Sequence, residues 1–137
     1  MKRKKPRLKF TYKEFKGGSY PIIKISLKGP RGILEVEAFV DSGASVSIFH
    51  ASLASELGIN YRNGKISYTL VGDGSYIPVY IKTVFVKLGH YSFSAQIGFS
   101  PQLGAEVNLL GHTDFFERFI VIFHGSRKTI TFIPAKR

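Results

Sequence analysis

An all-β domain, closed or nearly so and carrying one or two short helices, is what this sequence predicts. Three observations lead there. Short runs of alternating apolar and polar residues recur along the chain, Pro21 to Leu27 (PIIKISL) being the clearest. Clusters of Gly and Pro separate those runs at spacings that suit hairpins. No strand pattern leads into a long helical one, so the βαβ rhythm of a parallel sheet is missing.

The N-terminal stretch is governed by charge. Of the twenty basic residues, eight fall within the first sixteen positions, against a single acid there, Glu14. Without that stretch the net charge drops from +11 to +4, with twelve basic and eight acidic residues left. Residues 1–17 are expected to be a basic tail, partly disordered or holding a frayed strand around Phe10, Tyr12 and Phe15. Such a tail could touch nucleic acid weakly; the plainer expectation is a solvated terminus. No apolar stretch follows the basic residues, so the start does not read as a secretory signal. Residues 18–137 are expected to form one domain, long enough to bury roughly two thirds of the unfolded surface.

Within that domain Pro21 to Leu27 reads as a half-buried strand, Lys28 to Gly32 (KGPRG) as a turn, and Ile33 to Val40 (ILEVEAFV) as a second strand completing a hairpin. Ala51 to Gly58 breaks the period. Leu53, Ala54 and Leu57 are spaced for a helix of about two turns, and Gly58 stands where a left-handed cap ends one. Lys65 to Val71 and Ser75 to Leu88 are strands flanking Gly72-Asp73-Gly74, whose glycines supply positive φ for a tight tip. Gly89-His90 is another turn, and Tyr91 to Phe99 another strand. Asn108 to Gly111 (NLLG) is a short apolar run stopped by Gly. Thr113 to Phe119 follows as a second short helix, with Asp114 and Glu117 spaced for a capping box and Phe115, Phe116 and Phe119 facing inward. Ile120 to Phe123 and Thr129 to Pro134 are the last strands.

Several chemistries are set aside by composition. The chain has no cysteine, which removes disulfides, thiolate metal sites and cysteine nucleophiles, and which fits a reducing, cytoplasmic setting. No run of about 18 apolar residues is present, so no membrane span is expected. His50, His90, His112 and His124 lack the spacing and acidic partners of a zinc site. No metal or other cofactor is expected. Nothing resembles Gly-x-Ser-x-Gly, and Gly72-Asp73-Gly74 has no Gly-Lys-Ser/Thr after it, so it is no phosphate loop.

One stretch asks for chemistry. In AFVDSGASVSIF, Ala38 to Phe49, an apolar strand runs into an acid, a hydroxyl and a glycine before turning apolar again. A carboxylate at the end of a buried strand is costly unless something uses it. Gly43 permits a tight turn whose N–H groups can hold the Asp41 carboxylate, Ser42 can donate a hydroxyl, and small Ala44 lets another backbone approach. One oriented carboxylate is not enough to hydrolyse a peptide without a metal; the known carboxylate solution uses two that share a proton, and this chain has one Asp-Ser-Gly. A second copy can supply the other, because in a twofold dimer residue 41 meets its own mate at the axis.

At this point the chain resembles the retropepsin-like aspartic proteases, the single-domain class of retroviral proteases and their small cellular and prokaryotic relatives. The resemblance spans roughly residues 20 to 134 and rests on AFVDSGASVSIF, on VGDGSYIPV (Val71 to Val79), and on NLLGHTDFFERF (Asn108 to Phe119), in that order. It implies a closed β-barrel, the half-fold of the acid proteases, with a flap hairpin. It implies an aspartic endopeptidase, a homodimer whose two Asp41 carboxylates activate a water against an extended peptide. Ser42, Gly43 and Ala44 would complete the active-site turn. Val71, Gly72, Asp73 and Gly74 would form the substrate-binding flap, and Leu109, Leu110 and Gly111 would support the turn from beneath. The chain departs from the family in carrying His112 where many members have Arg, and Ser45 where retroviral members often have an Asp that pairs with it. A rival reading is a non-catalytic dimerisation or binding module of the same fold, guided to nucleic acid by the basic tail.

Overall fold

The computed structural model describes residues 6–104 and 107–135. The strands are β1 (Leu8–Thr11), β2 (Lys13–Phe15), β3 (Gly18–Tyr20), β4 (Ile22–Gly29), β5 (Gly32–Val40), β6 (Ile48–His50), β7 (Lys65–Leu70), β8 (Tyr76–Leu88), β9 (Tyr91–Ser100), β10 (Asn108–Leu110), β11 (Phe119–His124) and β12 (Thr129–Pro134). A helix, α1 (Ala51–Leu57), follows β6, a single tight turn covers Tyr61–Asn63, and an irregular turn covers His112–Phe116.

Seven strands form the main sheet in the order β4-β5-β10-β6-β9-β8-β7, and a pairing of β4 with β8 closes six of them into a barrel. Strand β8 makes that closure possible. Its first part, Tyr76 to Ile81, carries β7 as a projecting hairpin; its later part pairs β9 and, through Phe85 to Lys87, β4. Alternation along these strands sends Ile25, Leu27, Val86, Leu88, Ile97 and Phe99 into the barrel, where all are essentially fully buried. Helix α1 adds Ala54 and Leu57 to that core. It ends as its composition requires: Gly58 takes φ 74°, and the N–H of Ile59 returns to the carbonyl of Ala54 at 2.8 Å.

Two places differ from the expectations. The basic tail was expected over residues 1–17, partly disordered or holding a frayed strand around Phe10, Tyr12 and Phe15; residues 1–5 of it lie outside the described residues, and the strand is paired more firmly than that expectation. From Leu8 onward it is built into sheets. Leu8 is buried, β1 pairs antiparallel with β12 from Leu8↔Phe132 to Thr11↔Thr129, and Phe10 packs edge-on against Phe132. β2 and β3 form a hairpin of their own, and Lys13 reaches Glu37 at 2.5 Å. The apolar positions 8, 10 and 12 explain this: charge between them stays on the wet face while the apolar side docks.

The second difference is the expected helix Thr113 to Phe119. Thr113 is extended (ψ 120°) and Asp114 takes φ 65°, so the chain turns sharply rather than winding. Asp114 is spent elsewhere. Its Oδ2 accepts the N–H of Gln96 at 2.8 Å, and its Oδ1 meets Arg118 at 3.4 Å. Only the return limb of the expected capping box forms, with the N–H of Asp114 donating to Glu117 Oε1 at 3.3 Å. Phe115 and Phe119 are buried as expected; Phe116 is half-buried.

No described helix is long and apolar enough to cross a membrane.

Candidate functional site

Asp41 stands one residue past the end of β5, where the barrel strand stops pairing and the chain turns back toward β6. The turn is held by its own groups. Asp41 Oδ1 accepts the N–H of Gly43 at 2.9 Å, and the Asp41 carbonyl accepts the N–H of Ala44 at 3.1 Å. The strand-end acid is thus hydrogen-bonded, and it is only part-buried, which answers the cost of leaving a charge there. Ser42 and Gly43 are exposed.

A second segment, residues 110–113, is laced to this turn along its whole length. The N–H of Asp41 donates to the carbonyl of Leu110 at 2.9 Å, His112 donates its backbone N–H to Ala44 at 2.8 Å, and Thr113 donates its N–H to Ser45 at 3.0 Å. The Thr113 hydroxyl donates to the same Ser45 carbonyl at 3.0 Å, and the buried Ser47 hydroxyl accepts the N–H of Gly111 at 2.9 Å. Gly111 has to be glycine. A β-carbon there would stand 2.5 Å from the Ala44 carbonyl oxygen and 2.7 Å from the Val46 carbonyl carbon. Leu110 is fully buried, whereas Leu109 is only half-buried and faces the cleft described below.

His112 completes the lacing with its side chain. Its Nε2 lies 2.6 Å from the carbonyl oxygen of Ser42. A carbonyl only accepts, so Nε2 carries the proton in this contact. The ring then stacks on Phe116, with centroids 4.8 Å apart and planes 26° from parallel. His112 thus holds the turn through the Ser42 carbonyl, and Ser45 joins the same lacing through its backbone carbonyl, which accepts from Thr113.

Opposite the turn, the β7–β8 hairpin projects with its tip at Val71 to Ser75. The tip is closed by Val71 N–H to the Ser75 carbonyl and Gly74 N–H to the Val71 carbonyl, each 2.9 Å, with Gly74 at φ 87°. Asp73 Oδ1 accepts both the N–H of Ser75 at 2.9 Å and its hydroxyl at 2.5 Å. Those two bonds, the hydroxyl first, hold the exposed Asp73 carboxyl below the usual aspartate range. Val71 anchors the tip to a small apolar cluster of Ile48, Ile77 and Val79.

Between turn and tip lies a cleft of about 550 Å³, onto which Asp41, Gly43, Ala44, Val71, Gly72 and Leu109 all open. A neighbouring cleft of about 500 Å³ shares Val71, Gly72 and Leu109 with it and adds Asp73. Ser42, Gly74, Leu110 and Gly111 do not line either cleft; the last two lie behind the turn. Reading the sequence missed three residues that shape the site: Ser47, Thr113 and Asn108. Asn108 is buried in β10, donates to the Glu37 carbonyl at 2.8 Å and accepts from the His50 N–H at 3.0 Å, joining β5 to β6 on either side of the turn. A polar residue opening an apolar run was the available signal for it.

Comparisons with known proteins bear on the family and the fold. A family model described as aspartyl protease matches residues 23–111. No curated protein matches the chain. Among solved structures, a retropepsin-like aspartic protease from Rickettsia conorii superposes with a TM-score of 0.63 at 18% identity, covering 98% of this chain and 99% of that one. EIAV protease complexed with the inhibitor HBY-793 superposes with a TM-score of 0.50 at 16% identity, covering 72% of this chain and 88% of that one. The matched segment makes up more than half of the chain and runs from β4 through the Asp41 turn and the β7–β8 hairpin to Gly111, just past β10, and on that match the chain belongs to the aspartyl protease family, with the retropepsin-like all-β fold.

Proposed function

We propose that this chain is an aspartic endopeptidase whose site forms from two copies of it, each giving one Asp41. The single observation that carries the reading is the placement of one hydrogen-bonded, part-exposed carboxylate on the floor of an open cleft beneath a hairpin tip. One carboxylate cannot be general base and general acid at once. Two held about 3 Å apart cannot both ionise, so they share a proton; one takes a proton from water while the other protonates the leaving group. A second copy of the turn, placed by a twofold axis, supplies the second acid, and the exposed Ser42 and Gly43 are the surface on which the turns would meet.

The remaining residues take roles around that pair. Gly43 holds the Asp41 carboxylate through its N–H. Ala44, Leu109 and Val71 give the cleft apolar walls for an extended peptide, which would lie as an added strand between floor and hairpin. Gly72, Asp73 and Gly74, at the exposed tip, would close over the peptide and exclude water. Leu110 and Gly111 support the turn from behind.

The test is a cleavage profile. Wild type and Asp41→Asn are incubated with a diverse peptide mixture from about pH 4 to 7, the range in which a shared-proton pair works, and products are read by mass spectrometry. Cuts made by wild type alone support the reading; equal cutting by Asp41→Asn overturns it.

A further inference from the structure

Among the described residues, Asp41 and Asp73 are the only side chains charged near neutral pH that line the two clefts. No described Lys, Arg or His opens onto either, although the chain carries twenty Lys and Arg against nine Asp and Glu. Asp41 serves the floor of the first cleft. Asp73 stands on the second, and the hairpin tip does not need its charge. The tip asks position 73 only for an acceptor, and an Asn would take the same N–H and hydroxyl from Ser75.

The local geometry leaves that charge oriented and accessible. Both Ser75 donors use Oδ1, at 2.9 and 2.5 Å, so Oδ2 keeps its lone pairs for another donor. Asp73 is exposed, and a β-carbon at Gly72 or Gly74 on either side of it would meet nothing within 4 Å. An incoming group therefore meets a carboxylate already fixed by its own turn, and little rotamer freedom is lost on binding. The walls of this cleft of about 500 Å³ are apolar, with Val71, Ile77, Leu103 and Leu109 among them. Val71 and Leu109 also line the Asp41 cleft, so the two are continuous. An apolar trough with a carboxylate at its tip suits a side chain with an apolar stem and a cationic head, which is Lys or Arg. A purely aliphatic side chain would fill the walls and leave the charge unpaired as the hairpin closes. An acidic one would meet a like charge. The chain's net +11 opposes cationic peptides at a distance, but that field fades over about 10 Å at 0.1 M salt, and contact pairing inside a cleft is screened least.

We propose that Asp73 is a specificity-determining residue, and that the substrates are peptides carrying Lys or Arg near the bond that is cut. The cationic side chain lies in the second cleft, its stem against Val71, Ile77, Leu103 and Leu109 and its head on Asp73 Oδ2. This rests on the Asp41 reading for the cut and adds to it a substrate class.

The experiment uses the full chain and peptides that differ at one residue, Lys, norleucine or Glu, placed in turn at each position flanking the cut bond. Values of kcat/KM are measured for wild type, Asp73→Asn and Asp73→Lys, with circular dichroism reporting the fold. Each protein's Lys and Glu values are divided by its own norleucine value, so a general loss of hairpin closure cancels. Wild type should favour Lys over norleucine by about fivefold at one position, the upper end for a solvent-accessible ion pair. Asp73→Asn should bring that ratio to about one, and Asp73→Lys should favour Glu instead. A second measurement needs no cleavage. Fluorescence anisotropy follows labelled Lys and norleucine peptides on Asp41→Asn, with and without Asp73→Asn. A preference for Lys that requires Asp73 and shrinks with added salt is expected. A Lys preference absent from wild type, or unchanged in Asp73→Asn, overturns this subsite and leaves the Asp41 site standing. No cleavage of any peptide, together with an Asp73-dependent Lys preference in binding, overturns the Asp41 reading and keeps the subsite. Neither cleavage nor preference overturns both.

Discussion

Asn in place of Asp41 keeps the shape of the side chain and still accepts from the Gly43 N–H, yet it removes the acid. Asp41→Asn should therefore melt within a degree or two of wild type while its peptide cleavage falls to background; loss of fold along with activity would show the residue to be structural. The supports behind it behave in the opposite way. Ser47→Ala leaves the N–H of Gly111 without its acceptor in a buried setting, which costs about 1–3 kcal/mol. Gly111→Ala drives a methyl group into the Ala44 carbonyl and should cost more. Urea unfolding of both variants measures this, and a Gly111→Ala protein as stable as wild type would contradict the packing. His112 was legible in the sequence only as a departure from a familiar pattern. Its hydrogen bond to Ser42 depends on the sharp turn at Thr113 and Asp114, and that turn depends on Asp114 reaching Gln96 in a strand eighteen residues earlier. Local spacing carries no trace of such a partner, which is why the same letters read as a helix.

The hairpin over the cleft and the first strand show what alternation and turn residues can reveal and where they stop. Gly-Asp-Gly between two alternating runs located the hairpin and its tip within a residue. The tip's electrostatics follow from Asp73. Its folded carboxyl sits below the usual aspartate range, so the ordering it provides is fully present above that range and is lost only as pH falls through the depressed value. The Ser75 amide signal should accordingly titrate with a midpoint below that of an ordinary aspartate, and Asp73→Asn should flatten the profile; a midpoint at or above the ordinary value would contradict the two Ser75 hydrogen bonds. Strand β1 was legible only as a frayed strand around Phe10, Tyr12 and Phe15, because eight basic residues among the first sixteen weigh against firm docking in a composition argument. Its anchor is Leu8, 4% exposed. Leu8→Ala should cost about 2–4 kcal/mol, readable as a fall in melting temperature, whereas a disordered tail would register no change.

For the molecule as a whole, the proximity of the three separated motifs was implied only by the resemblance to a known family, whereas the all-β class could be read from strand periodicity and turn residues. The order β1-β12-β11 could not. It pairs the two ends of the chain across more than a hundred residues, and it removes TITFIP from the strands free to join a second copy. If the site forms from two copies, activity depends on concentration, and specific activity should fall on dilution below the dissociation constant of the pair. The most direct test mixes subunits. Asp41→Asn is added to a fixed amount of wild type above that constant, the mixture is left to exchange, and cleavage is followed. If each site needs one Asp41 from each chain, an equal amount of the variant cuts activity to about half and a ninefold excess to about a tenth, because wild-type chains are drawn into inactive pairs. Activity that stays unchanged as Asp41→Asn is added would mean that each chain works alone, and the paired-carboxylate site would be wrong.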